Sequence, residues 1–224
     1  FNRVKNVIIT ASGGPFLKKK ITKNIKIKEA LNHPNWSMGK KITIDSSTLM
    51  NKVFEVIEAK KIFNLKIKDI KILINPNSYV HSIIVFNNGI IKFLAHDPKM
   101  DIPIFNSIYD QSNEKFYSYN KLKLNKINKL NLSVPDAKKF KLLKILKLVP
   151  EKDSLFETIL VSINDELVNL FLNKKIKYNE IANYIIKIIN SKKLKKYYKK
   201  TPFSLQQIYN IRNLSKNFVK EFIK

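Results

Sequence analysis

The sequence predicts an α+β protein, in which a mixed-sheet segment is followed by a linker and then by an all-helical C-terminal domain. Three observations support this prediction. In the first half of the chain, short β-branched runs alternate with turns rich in Gly, Ser, Asn and Pro. Residues 117–132 then form a Lys, Asn, Leu, Ser and Tyr stretch without a clean period. Beyond Pro135 the strand signals stop and apolar residues recur at helical spacing.

The first half contains runs with the length and composition of strands at residues 4–11, 41–45, 70–75, 79–86 and 90–95. A typical hairpin turn, Asn88-Gly89, pairs the last two of these runs.

Helical patterns are predicted between these runs, at residues 25–31, 47–63 and 102–109. In the second helix, a 3.6-residue period separates two faces. The apolar face consists of Leu49, Val53, Val56 and Ile57, and the opposite face of Asn51, Lys52 and Glu55.

The C-terminal part shows further helical patterns at residues 138–148, 154–173, 178–191 and 203–223. The last is preceded by Thr-Pro-Phe-Ser at residues 201–204, a typical helix-start signal. The predicted division is therefore a first domain at residues 1–116, a linker at 117–135 and a helical domain at 136–224.

Composition limits the class of protein. Of the 224 residues 44% are hydrophobic, which is ample for a packed core. The absence of cysteine excludes disulfides, thiolate catalysis and Cys-based zinc sites, and it suits a reducing compartment. No apolar run approaches the roughly 20 residues that span a bilayer. Because the first residue is Phe and no signal-peptide pattern follows, we expect the chain to be part of a longer protein.

The net charge of +26 invites a nucleic-acid interpretation. However, only Arg3 and Arg212 are arginines, the residue that nucleic-acid surfaces recruit for bidentate contacts. Lys is enriched together with Asn and Ile throughout, which favours compositional drift over a dedicated polyanion surface. We therefore expect neither nucleic acid nor membrane as a partner. The alternative is a basic binding module at residues 185–200, where Tyr197 and Tyr198 lie among lysines.

Two polar segments near the N-terminal end carry the chemistry. Residues 12–14, Ser-Gly-Gly, hold two of the 4 glycines of the chain, which indicates a close approach by the backbone. The second segment places Ser46 at a predicted helix start, where free N–H groups and the helix dipole favour an anion. Lys52 adds a positive charge and Glu55 a carboxylate. These groups predict a site for a phosphorylated, metal-chelating small molecule; a capping Ser46 with a Lys52–Glu55 ion pair is the alternative.

Four motifs follow one another in a distinctive order: Ser-Gly-Gly-Pro-Phe (12–16), His-Pro-Asn-Trp-Ser-Met-Gly-Lys-Lys-Ile (33–42), Ile-Asp-Ser-Ser-Thr-Leu-Met-Asn-Lys (44–52) and Glu-Val-Ile-Glu-Ala (55–59). Their order and spacing resemble the 1-deoxy-D-xylulose 5-phosphate reductoisomerase family of the methylerythritol phosphate route to isoprenoids. The resemblance implies that residues 1–116 are the later part of a catalytic domain. It also implies an NADPH-dependent conversion of 1-deoxy-D-xylulose 5-phosphate to 2-C-methyl-D-erythritol 4-phosphate.

The resemblance implies a role for each matching residue. Substrate-binding residues would be Ser12, His33, Ser46, Asn51, Lys52 and Glu55, of which Ser12, Ser46, Asn51 and Lys52 would hold the phosphate. Glu55 would also be a metal ligand, and Trp36 and Met38 would belong to a mobile flap. On the cofactor side, Gly39 and Met100 would contact NADPH, and Pro98 would lie in a loop beside the nicotinamide.

The implied cofactors are NADPH and a divalent cation (Mg²⁺, Mn²⁺ or Co²⁺), and the implied assembly is a homodimer in the bacterial cytoplasm or a plastid-type organelle. This chain contains no Gly-x-Gly-x-x-Gly fingerprint, so we expect the dinucleotide-binding domain to precede it and the chain alone to be inactive. A second alternative is a degenerate, non-catalytic relative, because an Asn-Ala-Ala-Asn-Glu motif of the family is replaced by Val-Ser-Ile-Asn-Asp at residues 161–165.

Overall fold

The computed structural model describes residues 4–109 and 124–223, which form two compact units. The first unit contains residues 4–13, 68–109 and 124–135 of this range, and the second contains residues 14–67 and 136–223. Packing thus groups residues 14–67 with the C-terminal helices. The division at 117–135 stays a prediction about domains, and residues 117–123 lie outside the described range.

The described strands of the first unit form one mixed sheet. They are β1 Val4–Ala11, β2 Ile70–Ile74, β3 Val80–Phe86 and β4 Ile91–Ala95, arranged in the order β2-β1-β3-β4. The β1–β2 pair is parallel, whereas β1–β3 and β3–β4 are antiparallel. The predicted strands at 4–11, 70–75, 79–86 and 90–95 and the hairpin at Asn88-Gly89 are confirmed. Gly89 has a φ of 85°, a backbone conformation that Gly adopts without strain.

The helices of the described residues are α1 Ile27–Ala30, α2 Lys40–Thr48, α3 Met50–Ile62, α4 Asp101–Ile108, α5 Leu124–Asn128, α6 Leu155–Leu172, α7 Tyr178–Ile189, α8 Lys192–Lys195 and α9 Leu205–Ile223. Two 3-10 segments lie at Ile67–Asp69 and Lys141–Leu148. The predicted C-terminal helices are confirmed, except that the pattern at 138–148 forms the second 3-10 segment. The helix-start signal before α9 acts through Ser204, whose Oγ accepts the N–H of Gln207 at 3.1 Å.

The predicted strand at 41–45 is wrong, because these residues form the first turns of α2. Gly39 is the N-cap, and its carbonyl accepts both the N–H and the Oγ1–H of Thr43, at 3.1 and 2.8 Å. Thr43 and Ile44 are buried in the second unit, so tertiary packing overrides their β-branched propensity. The predicted helix at 47–63 is also divided, since Leu49 has a φ of 59° and separates α2 from α3.

The core of the second unit is built on α3, α6 and α7. On α3 the predicted stripe is confirmed, with Leu49, Val53, Val56 and Ile57 all buried. Helix α6 packs against both α7 and α9 and buries residues around most of its circumference, which is typical of a central helix. Each fully buried Leu or Ile there contributes about 1.5–3 kcal/mol of transfer free energy. This core holds α2 and α3, the helices that carry four of the six predicted substrate-binding residues, namely Ser46, Asn51, Lys52 and Glu55.

Candidate functional site

The junction between α2 and α3 leaves Ser46 accessible. Every residue from Thr43 to Met50 is buried apart from Ser46, which is half-buried. Ser46 lies in the last turn of α2, and its carbonyl accepts the N–H of Leu49 at 3.2 Å. The predicted placement of Ser46 at a helix start is therefore wrong, and the dipole argument applies instead to the first turn of α3. That turn contains Asn51 and Lys52.

Gly14 shows why the Ser-Gly-Gly segment needs glycine. Its φ is 62°, and a Cβ on it would lie 3.0 Å from the carbonyl oxygen of Ser46 and 3.1 Å from the Cα of Ser47. The backbone at Gly14 thus contacts the end of α2 directly. The prediction of a close backbone approach holds at this glycine, and the neighbour is the chain itself.

Asn51, Lys52 and Glu55 lie together on α3, on the face opposite the buried stripe. Glu55 accepts a hydrogen bond from Asn51 Nδ2 at 2.6 Å, and its other carboxylate oxygen pairs with Lys52 Nζ at 2.6 Å. The side chain of Lys52 is only 11% exposed, so it is more enclosed than a solvated surface lysine. The structure therefore contains the ion pair that the sequence left open, in a partly enclosed setting.

A buried carboxylate precedes Ser46. Asp45, 2% exposed, pairs with Lys41 Nζ at 2.7 Å and accepts a hydrogen bond from Asn164 Nδ2 at 2.8 Å. Lys41 also pairs with Asp165 at 3.0 Å. Burial raises the pKa of Asp45, although Lys41 and Asn164 oppose that shift. Burial tends to lower the pKa of Lys41, but the two carboxylates together raise it.

A buried hydroxyl follows Ser46. Ser47 is fully buried; its Oγ donates to the carbonyl of Ile44 at 2.7 Å and accepts from the Tyr178 hydroxyl at 3.0 Å. Burial raises the pKa of Tyr178, which keeps this hydroxyl protonated as a donor. Sequence reasoning missed Asp45, Asn164 and Tyr178. Asp45 and Asn164, and likewise Ser47 and Tyr178, lie more than 100 residues apart in the chain. The only local signal was the polar pair Asn164-Asp165 in the mostly apolar sequence of α6.

His33 organises the loop that carries the predicted flap residues. Its Nδ1 accepts the backbone N–H groups of Asn35 at 3.2 Å and Trp36 at 3.0 Å, so the neutral ring carries its proton on Nε2. Burial lowers the pKa of His33 and favours this neutral form. Trp36 and Met38 are both half-buried, and Gly39 is exposed with open space around it. The loop has no helix or strand between His33 and Gly39.

Three predicted site residues belong to the first unit. Ser12 is half-buried directly after β1, Pro98 is half-buried, and Met100 is 58% exposed before α4. The remaining ones, from His33 to Glu55, belong to the second unit. Two further histidines, His81 and His96, stack at a ring distance of 3.7 Å.

The metal-binding prediction rests on Glu55. A carboxylate is the kind of oxygen ligand that Mg²⁺ prefers, but Mg²⁺ requires about six oxygens. Among the described residues, no group of three or more His, Asp or Glu side chains comes together in a way that could hold a metal. Glu55 thus fits the cation in chemistry but supplies only one protein ligand.

Tyr197 and Tyr198, the tyrosines of the alternative basic module, make contacts within the protein. The Tyr198 ring packs edge-on against Phe156 at 4.8 Å, and its hydroxyl donates to the Ile189 carbonyl. The Tyr197 ring is covered by Lys196 and Lys200. Across the described part of the chain, no helix combines the length and the apolar character that a membrane span requires.

Family comparisons agree with the motifs. A sequence model of the 1-deoxy-D-xylulose 5-phosphate reductoisomerase C-terminal domain matches residues 1–63, and a second model, the DXP reductoisomerase C-terminal domain, matches residues 96–218. The chain belongs to the 1-deoxy-D-xylulose 5-phosphate reductoisomerase family. The family reductoisomerase of Pelagibacter ubique is 54% identical over 94% of this chain, and that of a Sulfurihydrogenibium species is 42% identical over 83%. The chain spans about half the length of these curated relatives, 54% and 50% respectively.

Solved reductoisomerase structures share the fold. A crystal structure of a DOX-P reductoisomerase with NADPH, fosmidomycin and magnesium superposes with a TM-score of 0.90 at 33% identity, over 99% of this chain and 55% of that one. The Zymomonas mobilis reductoisomerase in complex with NADPH gives 0.87 at 28% identity, over 100% of this chain and 56% of that one. These likenesses confirm the α+β prediction and the match to the C-terminal part of the family.

Proposed function

We propose that this chain supplies the substrate-phosphate site, the flap and one metal ligand of an enzyme that converts 1-deoxy-D-xylulose 5-phosphate to 2-C-methyl-D-erythritol 4-phosphate. The observation that carries the proposal is the convergence of Asn51, Lys52 and Glu55 on one face of α3, with Lys52 and Asn51 each 2.6 Å from the same carboxylate. This grouping supports the proposal, because an amide and an ammonium donor, both suited to phosphate, lie next to a carboxylate suited to a cation, as a phosphorylated and metal-chelating substrate requires.

In this proposal the α2–α3 junction binds and orients the phosphate. Asn51 and Lys52 donate hydrogen bonds from the first turn of α3, and Ser46 adds a hydroxyl from the end of α2. The first-turn N–H groups of α3 favour the same negative charge. Ser12 is proposed as a further phosphate ligand. Binding energy gained at the phosphate can then be used to orient the carbons that rearrange and are reduced.

The loop from His33 to Gly39 is the proposed flap. His33 would contact the substrate through Nε2–H, because its Nδ1 already accepts two backbone N–H groups. Trp36 and Met38 would cover the bound ligand and exclude water. Gly39 and Met100 are proposed to contact NADPH, with Pro98 beside the nicotinamide.

The proposed cofactors are those found in related structures, which hold NADPH and magnesium. When bound, NADPH supplies the hydride and a divalent cation stabilises charge on the substrate oxygens. Glu55 would be one ligand of that cation, and the other protein ligands would come from outside the residues described here.

The proposal is tested with a chimera, in which the part of the Pelagibacter ubique relative that this chain does not cover is joined to the chain. We expect the chimera to oxidise NADPH when 1-deoxy-D-xylulose 5-phosphate and Mg²⁺ are supplied, and the 224-residue chain alone to be inactive. A folded chimera without turnover would contradict the proposal and favour a non-catalytic relative. Turnover by the chain alone would contradict the proposal that this chain supplies only part of the active site.

We also propose a homodimer, supported by β4. Among the described residues no strand pairs with its outer edge, and Ile91, Phe93 and Leu94 are each more than half exposed. An apolar edge strand of this kind needs a covering partner, and a second copy of the chain would provide one. In sedimentation of the chimera, Phe93→Asp should yield monomers, whereas Ile62→Asp, at an exposed apolar residue of the second unit, should not. A monomeric parent would contradict this proposal.

A further inference from the structure

We propose that two buried polar anchors, Asp45 and Ser47, position Ser46 by fastening the last turn of α2 to α6 and α7. The inference rests on the proposed phosphate role of Ser46. It assigns Asp45, Ser47 and their partners as positioning residues that act through Ser46.

The first anchor is ionic. Asp45 on α2 is bound by Asn164 of α6 at 2.8 Å and by Lys41, one turn earlier on its own helix, at 2.7 Å. Lys41 reaches across to Asp165 of α6 at 3.0 Å, so both carboxylates share one cation. Because Asp45 is buried, breaking one of these contacts would leave a charge without its compensation in a region that excludes water.

The second anchor is a pair of hydroxyl groups. Tyr178, at the first residue of α7, donates from its hydroxyl to Ser47 Oγ at 3.0 Å. The Tyr178 ring is itself held between Phe16 and Phe171, at centroid distances of 4.9 and 5.7 Å. The hydroxyl of Ser47 therefore contacts a rigid partner.

Helical geometry explains why two anchors are needed. Successive side chains on an α-helix point about 100° apart, so Asp45 and Ser47 approach different neighbours and together prevent rotation of α2 about its axis. Ser46 lies between them, and it is the residue of this turn that reaches the surface. Gly14 approaches the same turn closely, since a Cβ on it would lie 3.0 Å from the carbonyl oxygen of Ser46 and 3.1 Å from the Cα of Ser47.

Amide hydrogen exchange on the chain itself tests the anchoring. Asp45→Asn and Tyr178→Phe should each speed exchange at Ser46–Leu49 by about tenfold or more while leaving α9 unchanged. The controls are Asp153→Asn, which alters an exposed ion pair with Lys61, and Tyr198→Phe, which removes another enclosed hydroxyl. If Asp45→Asn does not fold, Tyr178→Phe decides alone, since it removes a single oxygen. Unchanged exchange at residues 46–49, or an equal rise in α9, would overturn the inference.

Kinetics of the chimera separate this inference from the function on which it rests. Tyr178→Phe should raise the KM for the sugar phosphate by about tenfold and leave the KM for NADPH within about twofold, as misplacement of a phosphate ligand predicts. General damage to the fold would change both constants. If Ser46→Ala raises the sugar-phosphate KM but Tyr178→Phe does not, the positioning role of the anchors is refuted, whereas the proposed phosphate role of Ser46 is retained. If Ser46→Ala has no effect, the proposed phosphate role fails, and hydrogen exchange still decides the anchoring.

Discussion

Replacing Gly14 by Ala should strongly destabilise the second unit. The added Cβ would lie 3.0 Å from the Ser46 carbonyl oxygen and 3.1 Å from Ser47 Cα, and both are backbone atoms that cannot rotate away. Forcing a non-Gly residue into the left-handed region, where Gly14 has a φ of 62°, costs about 1–2 kcal/mol. Overpacking adds about 1–3 kcal/mol. The free energy of unfolding should therefore fall by about 2–5 kcal/mol, which for a chain of this size lowers Tm by about 4–20 °C.

Thermal unfolding of the chain, followed by circular dichroism, measures this change against two other glycines. Gly89 has a φ of 85° with nothing within 4 Å of its Cβ position, so Gly89→Ala isolates the backbone cost. Gly39 also has open space and lies at a φ of −60°. In Gly39→Ala the reduced freedom of the unfolded chain offsets the poorer N-cap preference of Ala, so Tm should change little. A Gly14→Ala variant no less stable than Gly89→Ala would refute the close contact at the end of α2.

Three further predictions concern the site. In the chimera, Lys52→Ala should lower kcat/KM about ten- to a hundredfold, the effect of losing one charge-assisted contact to phosphate. Glu55→Gln should shift the Mg²⁺ dependence of activity to higher concentration. The same change should alter the free energy of unfolding by less than about 1 kcal/mol, because the Lys52–Glu55 ion pair is partly solvated. The control Glu58→Gln, at an exposed neighbour, should change neither the Mg²⁺ dependence nor the stability. Burial lowers the pKa of His33 from its ordinary value of 6.5. The loop contacts of neutral His33 therefore persist at pH 6.5 and above, and they are lost only as the pH falls through this lowered pKa. Trp36 fluorescence should report this acid transition, and His33→Ala should abolish it.

Each of these predictions has an outcome that contradicts it. Unchanged kinetics for Lys52→Ala would reduce that residue to the partner of Glu55. A loss of stability in Glu55→Gln without any shift in Mg²⁺ dependence would show that the exposed face of α3 is assigned incorrectly. Trp36 is the only tryptophan of the chain, so a fluorescence signal that is flat between neutral and mildly acidic pH would reject the role of His33 in holding the loop.

The sheet and the C-terminal helices were predictable because their signals are local. The β-branched runs of β1 and β3 are bounded by turn residues, and Asn88-Gly89 encodes the hairpin directly. The apolar periods of α6 and α9 are long enough to outweigh individual propensities.

The α2–α3 region was not predictable in the same way. Ile42, Thr43 and Ile44 form a short β-branched run, for which helix and strand cannot be separated by periodicity alone. Leu49 adopts a φ of 59° without the Gly that normally marks a helix end, so nothing local indicated the break. Motif matching singled out Ser46, Asn51 and Lys52 as site candidates. The setting of Ser46, however, depends on contacts of its neighbours Asp45 and Ser47 with α6 and α7, which no local pattern encodes.

The α2–α3 junction is proposed to bind the substrate phosphate. A crystal structure of the chimera with Mg²⁺, NADPH and a phosphonate analogue of the substrate would show where the phosphate group binds. We expect phosphonate oxygens within hydrogen-bonding distance of Ser46 Oγ, Asn51 Nδ2 and Lys52 Nζ, with the cation at Glu55. A phosphonate bound elsewhere, while Lys52 remains paired only with Glu55, would contradict this proposal.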